Sequence, residues 1–217
     1  MPITDVDIFN KALSLLNELT KQVTSITADT SANGKLAEIH YASTRDEELR
    51  LNRWIFAINR ALAVTHTVVL PAVFTNNTGF LYAYSVPADS LRVLSLYVAD
   101  PSGVPYGVDH EAELQYRFKI EKGIIYANVP LQTSNPYIKY IQQITDPTDF
   151  DVNFVEMFAV RLAGKICKGV TGDESQKASL QNEYGALLIR ARAANSLEAE
   201  DDSEAEGEPW WGERSRY

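Results

Sequence analysis

The sequence predicts an α+β protein in which a helical bundle carries an inserted antiparallel β domain and ends in an extended acidic tail. Apolar residues recur at helical spacing near both ends of the 217-residue chain, whereas aromatic and β-branched residues alternate in its middle. A dense run of acids follows the last helical pattern. The predicted bundle comprises residues 1–66 and 147–197, the inserted β domain residues 67–146, and the tail residues 198–217.

Composition limits the classes of function. A net charge of −9 argues against a general nucleic-acid binder and against electrostatic docking on an anionic membrane. No apolar run approaches the ~18 residues of a membrane-spanning helix. The single cysteine, Cys167, excludes an intrachain disulfide and a multi-thiolate zinc site, and we expect it to be a buried structural thiol. The acidic start of the chain lacks the basic region of a secretory signal, so we expect folding in a reducing cell interior.

The first block is predicted to be helical. Thr4 is positioned to cap a helix whose apolar face carries Val6, Phe9, Leu13 and Leu16. A loop over 21–31 and a turn at Asn33-Gly34 lead to a second helical stretch over 35–63, with a break near Ser43-Thr44. Its expected dry face carries Trp54, Ile55, Ile58 and Leu62, and its solvated face carries Asp46, Glu47, Glu48 and Arg50.

The middle block is predicted to be extended. The predicted strands cover 80–84, 91–98, 116–120, 124–129 and 137–144, after a β-branched stretch over 64–74. We expect turns at 86–89 and 100–103 and a hairpin at Lys122-Gly123, because proline, glycine and aspartate favour reversals of the chain.

The last block returns to helical spacing. Asp149 or Asp151 is expected to cap a helix carrying Phe154, Phe158, Leu162 and Ile166, and Thr171-Gly172-Asp173 ends it. A long final helix should bury the face carrying Leu180, Tyr184, Leu187, Leu188 and Ala191 and expose Lys177, Arg190 and Arg192.

The sequence contains no recognisable catalytic constellation. His40, His66 and His110 form no metal-binding pair, and neither a nucleophile elbow nor a phosphate-binding loop occurs. The acids of 46–48 and Asp201-Asp202 are interpreted as solvated faces. We therefore expect no enzyme, no cofactor and no metal.

The tail is the predicted binding segment. Residues 198–208 contain seven acids and no base, and removing them leaves the rest of the chain at −2. Two adjacent tryptophans and a basic, aromatic end follow, and such aromatic side chains are favoured anchors at interfaces. A solubilising tail is the alternative. The predicted binding residues are Glu198, Glu200, Asp201, Asp202, Trp210, Trp211, Arg214, Arg216 and Tyr217.

Several short motifs occur in order across residues 8–195. They are Asn10–Leu16, Arg45–Leu49, Trp54–Ala57, Arg60–Ala63, Tyr84–Val93, Phe150-Asp151, Leu162–Ile166 and Thr171-Gly172. Together they resemble the head-to-tail adaptor proteins of short-tailed bacteriophages, the tail tubular protein A family. Asn52-Arg53 and Ile55 depart from the His-Pro and Asn that this family often has around the tryptophan, and the acidic tail lies outside its pattern.

The resemblance implies a structural protein of the virion that folds in the host cytoplasm. Such adaptors form a dodecameric ring between the portal protein and the tail nozzle protein, with a tail fibre as a further candidate partner. Genomic DNA passes through the ring without membrane contact, and an acidic wall would let phosphates slide past. The alternative is a carbohydrate-binding or polysaccharide-cleaving tail component that uses the tyrosine-rich strands as a sugar platform.

Overall fold

The element order is helices, then strands, then helices. A computed structural model describes residues 2–66, 80–98, 117–129 and 136–200. The helices are α1 (Asp5–Leu15), α2 (Ala32–Leu51), α3 (Val152–Val170) and α4 (Glu174–Glu200). The strands are β1 (Ile58–Leu62), β2 (Tyr82–Ser85), β3 (Ser90–Val98), β4 (Phe118–Glu121), β5 (Ile124–Ala127) and β6 (Pro136–Gln142). Short 3₁₀ turns cover Ile55–Ala57 and Pro147–Asp149. This is the predicted α+β class.

Helix α1 begins at the predicted cap. The Thr4 hydroxyl accepts a hydrogen bond from the Asp7 backbone N–H at 3.2 Å, and the Thr4 N–H donates to the Asp7 carboxylate at 2.9 Å. This reciprocal capping box satisfies two otherwise unpaired donors. The predicted loop after α1 is also confirmed, and Asn10 holds it through two hydrogen bonds to the backbone of Val23.

The start of α2 corrects two predictions. Asn33 and Gly34 lie inside the first turn of the helix, which Ser31 caps through the Gly34 N–H at 3.0 Å. The helix then runs through Ser43 and Thr44 without the expected break. Glycine is required at position 34 by close packing, because a Cβ there would lie 2.3 Å from the Asp29 carbonyl oxygen.

The predicted helix over 35–63 is wrong beyond Leu51. The backbone becomes extended at Asn52, makes one 3₁₀ turn and continues as β1. Strand pairing with β6 satisfies this backbone, and it leaves Ile55 36% and Leu62 47% exposed instead of on a dry helical face. Trp54 is buried as expected.

Two antiparallel three-stranded sheets follow. The inner sheet has the order β1-β6-β3 and the outer sheet the order β2-β5-β4. In the inner sheet Ile58 pairs with Ile141 and Val93 pairs with Tyr140. The chain reaches the outer sheet directly after β1, because the Ser85 N–H donates to the Val64 carbonyl at 2.9 Å.

Turn chemistry in the strand region agrees with the predictions. The hairpin between β4 and β5 turns at Lys122 and Gly123, whose φ values of 51° and 76° are those of a type I′ turn. The turn at 86–89 is closed by a hydrogen bond from the Ser90 N–H to the Pro87 carbonyl at 3.0 Å. The expected turn at 100–103 and most of the β-branched stretch over 64–74 lie outside the described residues.

The inner sheet separates two cores. Ile141 faces the helices and joins the helical core, whereas Ile138 and Tyr140 on the same strand face the outer sheet and join the outer core. The helices and the two sheets therefore form three layers. Because β6 contributes to both cores, the division into a bundle and an inserted domain stays a prediction about folding units.

Candidate interaction surfaces

A partly buried ionic network joins α2, α3 and α4. The Glu48 side chain is fully buried, and the Tyr184 hydroxyl donates to its Oε2 at 2.9 Å. Arg161 Nε lies 3.1 Å from Glu48 Oε1, at ion-pair distance but without hydrogen-bond alignment. Arg161 also pairs with Glu47 at 3.2 Å, and Lys165 binds the other oxygen of Glu47. These contacts fix α3 and α4 against α2.

The adjacent glutamates of this network have opposite electrostatic environments. Burial raises the pKa of Glu48, although the Tyr184 hydroxyl and Arg161 oppose the effect. The bond from Lys165 lowers the pKa of the half-exposed Glu47. Burial together with the Glu48 carboxylate raises the pKa of Tyr184 to about 12, so this hydroxyl remains a donor.

The buried Glu48 corrects the expectation that residues 46–48 form a solvated face. Glu48 lies one and two helical turns from Thr44 and Tyr41, and all three are buried. The signal in the sequence was the spacing of two helical turns between Tyr41 and Glu48, and the run of three acids at 46–48 pointed instead to a solvated face. Arg161 and Tyr184 were not singled out as partners because nothing in a single sequence pairs them with Glu48.

A groove of about 260 Å³ runs between α3 and α4 beside this network. Its rim carries Arg161, Lys165 and Lys177. All three cations have carboxylate partners, since Lys177 lies 3.7 Å from Glu174 and the other two bind the glutamates of α2. The positive charges at this groove are therefore neutralised by carboxylates of the same chain. We interpret the groove as a packing feature between α3 and α4.

A second groove, which we call the helix-end groove, lies where α2 ends against the last turns of α4. Its volume is about 350 Å³. It is lined by Leu51, Asn52, Arg53, Trp54, Arg192, Asn195 and Ser196.

The walls of the helix-end groove are held by hydrogen bonds between distant parts of the chain. Asn195 accepts from the Ile55 N–H at 2.8 Å and donates to the Arg53 carbonyl at 2.9 Å. Arg192 Nε donates to Asn52 Oδ1 at 2.8 Å. The end of α4 is thereby fixed to the segment that follows α2, directly before the acidic tail begins.

The predicted binding residues all follow this anchor in the chain, and the helix continues to Glu200, beyond the predicted start of the tail at residue 198. Glu198 and Glu200 belong to the last turns of α4, and Glu198 is exposed. Asp201, Asp202, Trp210, Trp211, Arg214, Arg216 and Tyr217 lie outside the described residues, so the predicted tail has no structural test.

The cysteine and histidines considered in the sequence analysis form contacts within the fold or lie outside the described residues. Cys167 is fully buried, as expected, with its Sγ 3.4 Å from the Asp173 carbonyl. His66 Nδ1 lies 3.2 Å from the Ser85 hydroxyl, and His110 is outside the described residues. Among the described residues no group of three potential ligands could hold a metal ion, and none of their helices has the length and apolarity to cross a membrane.

No protein-family profile matches this chain, and no curated protein matches it in sequence.

Proposed function

We propose that this protein is a structural adaptor that forms a ring between a phage portal protein and a tail nozzle protein, with DNA passing through the ring. The proposal starts from the motif resemblance across residues 8–195. In this reading the protein is a non-enzymatic component of the virion tail.

The observation that carries the proposal is the set of large apolar side chains left exposed on the helical layer. Leu51, Val152, Ile189 and Leu197 are 59%, 74%, 71% and 69% exposed. They lie at the end of α2, the start of α3 and along α4. Val64, Leu81 and Ile120 near the strands are exposed as well, and in this proposal the side chains on the helices are the ones that neighbouring subunits cover.

The anchored end of α4 supports a second contact, with the portal. Hydrogen bonds from Arg192 and Asn195 fix the point at which the tail leaves the body. A tail that starts from a fixed point is directed towards one partner, and its acids would steer it to a basic strip on that partner. Trp210 and Trp211 would then bury in an apolar pocket and slow release.

Light scattering of the chain alone and with purified portal rings tests the proposal. We expect a monomer alone, because symmetric assembly of a weakly self-associating subunit needs a template, and a ring of twelve copies on the portal. Class averages of the assembled particle should display the ring symmetry. If the protein does not bind portal rings and instead degrades a polysaccharide, the adaptor proposal is wrong and the enzymatic alternative is correct.

A pair of matched variants tests the interface. Ile189→Asp on α4 should prevent ring formation while leaving the monomer folded, because the side chain is exposed. Leu81→Asp, next to the outer sheet and 58% exposed, is the control and should assemble normally. Equal loss in both variants would place the subunit contact elsewhere than on the helical layer.

A further inference from the structure

The helix-end groove carries positive charge that forms no ion pair within the part of the chain that the structure describes. Arg53 and Arg192 line it, and Arg50 precedes the lining residue Leu51 in the last turn of α2. Arg192 donates to the amide oxygen of Asn52, and none of the three arginines forms an ion pair with a carboxylate of the described residues. This distinguishes it from the α3–α4 groove, whose cations are all paired.

The same place exposes apolar surface. Leu51 is 59% exposed and lines the groove, and Ile55, whose N–H binds Asn195 in the groove wall, is 36% exposed. An occupant that suits this surface therefore combines carboxylates with large apolar side chains.

We propose that residues 201–217 of the same chain fold back onto the helix-end groove in the free protein, with their acids beside the arginines and Trp210 and Trp211 over the exposed apolar side chains. Five acids in residues 201–208 precede the tryptophan pair. Their charge is opposite to that of the groove. Each tryptophan can bury ~150–250 Å² of surface when it is enclosed.

The length of the segment permits this contact within one chain. Glu200 lies five residues beyond Asn195, which is about 7 Å along a helix. Trp210 follows ten residues later and can reach up to ~33 Å in an extended chain, so the segment is long enough to turn and return. A tether this short gives an effective concentration in the millimolar range, which favours the same chain over a second copy.

This contact would control whether the tryptophan pair and the helix-end groove are accessible to a partner. While the segment occupies the groove, both the tryptophan pair and the exposed side chains of Leu51 and Ile55 are covered in the free monomer. A partner that binds either surface must displace the other. This inference concerns the free chain and does not depend on the proposed adaptor role.

A spin label placed beside the tryptophan pair tests the proposal in the full-length protein. Gly212→Cys supplies the labelling site, and Cys167 does not compete because it is fully buried. In ¹⁵N spectra the amide signals of Arg53, Ile55 and Ser196 should lose most of their intensity, while those of Lys119 and Lys122 at the outer sheet keep theirs. Equal intensities at the two places would overturn the proposal.

Matched variants and a mixing experiment complete the test. Arg53→Glu should restore the groove signals, whereas Arg190→Glu, an equally exposed arginine of α4 outside the groove, should leave them broadened. Trp210→Ala with Trp211→Ala should restore them too. Equal effects of the two arginine variants, or no effect of the tryptophan variant, would contradict the docking contact. Broadening of unlabelled ¹⁵N chains by added ¹⁴N spin-labelled chains would show docking between copies and overturn the same-chain contact.

Discussion

The two faces of the inner sheet are covered very differently. On the helix-facing side, aromatic rings pack edge to face, with centroids 5.0 Å apart for Phe150 and Phe154 and 5.4 Å apart for Trp54 and Phe154. On the other side, the described residues of the outer core are fewer, and Tyr84 and Tyr140 lie there among aliphatic side chains such as Ile125. Among the described residues the helical core is thus the larger of the two, and its aromatic rings form one connected cluster.

The two cores also differ in which parts of the chain they join. The helical core contains residues of all four helices and of β6, so elements from both ends of the sequence depend on one another. In the described part of the outer sheet, β4 and β5 form one local hairpin. Packing shared by distant segments favours cooperative unfolding, whereas a locally connected layer can open alone.

The largest effect is expected from Phe154→Ala. Phe154 is fully buried and contacts the rings of Trp54, Phe56, Phe150 and Phe158. Removing it should lower the free energy of unfolding by about 3–5 kcal/mol. Urea unfolding measures this loss, and amide exchange should quicken in both the helices and the sheets. Faster exchange in α3 alone would show that the helical core does not hold the whole molecule.

Ile125→Ala in the outer core should be costly but local. Ile125 is fully buried, and its loss is expected to cost about 2–5 kcal/mol, towards the lower end because a thin layer can relax around the cavity. Amide exchange should quicken in β2, β4 and β5 while α3 keeps its protection. Equal acceleration in α3 would mean that the two cores unfold as one unit.

The sequence predicted elements well where local chemistry decides them. The Thr4 cap and the hairpin at Lys122-Gly123 depend on residues within a few positions of one another, and both predictions are confirmed. Of the two candidate caps of α3, Asp149 and Asp151, the structure selects Asp151. The segment over 52–62 failed because its helical spacing was overridden by pairing with β6, which lies about eighty positions away. Such a partner is invisible in a window of local sequence.

The candidate surfaces were harder to predict for the same reason. Glu48, Arg161 and Tyr184 come together only when three helices pack, and the helix-end groove joins Arg53 to Asn195 across the whole chain. The acidic and aromatic character of the tail, by contrast, is visible in sequence alone. Where that segment binds remains a prediction.

Gly34→Ala tests how tightly the loop before α2 packs against the start of that helix. The added Cβ would lie 2.3 Å from the Asp29 carbonyl oxygen, so the loop before α2 must shift, at a cost of about 1–3 kcal/mol. Gly185→Ala is the matched control, because its Cβ would meet nothing within 4 Å on α4. The control should gain up to about 1 kcal/mol from helix propensity. Thermal unfolding of both variants checks the opposite signs.

The smallest effects concern pH and should be confined to the helical side. Burial raises the pKa of Glu48 in the folded state, so its protonated form favours folding and its contribution to stability falls as pH rises above the ordinary value of 4.5. Glu48→Gln does not titrate, and its stability relative to the wild type should therefore improve as pH rises above 4.5. Urea unfolding between pH 4 and 7 measures this trend.

Glu47→Gln should change stability with pH in the opposite direction to Glu48→Gln. The bond from Lys165 lowers the pKa of Glu47 in the folded state, so the wild-type carboxylate stabilises the fold above its ordinary value of 4.5 and loses that contribution as pH falls through the lowered pKa. The cost of Glu47→Gln should therefore be present at neutral pH and shrink in acid. Because Glu47 is half-exposed and screened by solvent, the effect should be small and should weaken further with added salt. Parallel pH profiles for the two variants would contradict the opposite environments of these adjacent glutamates.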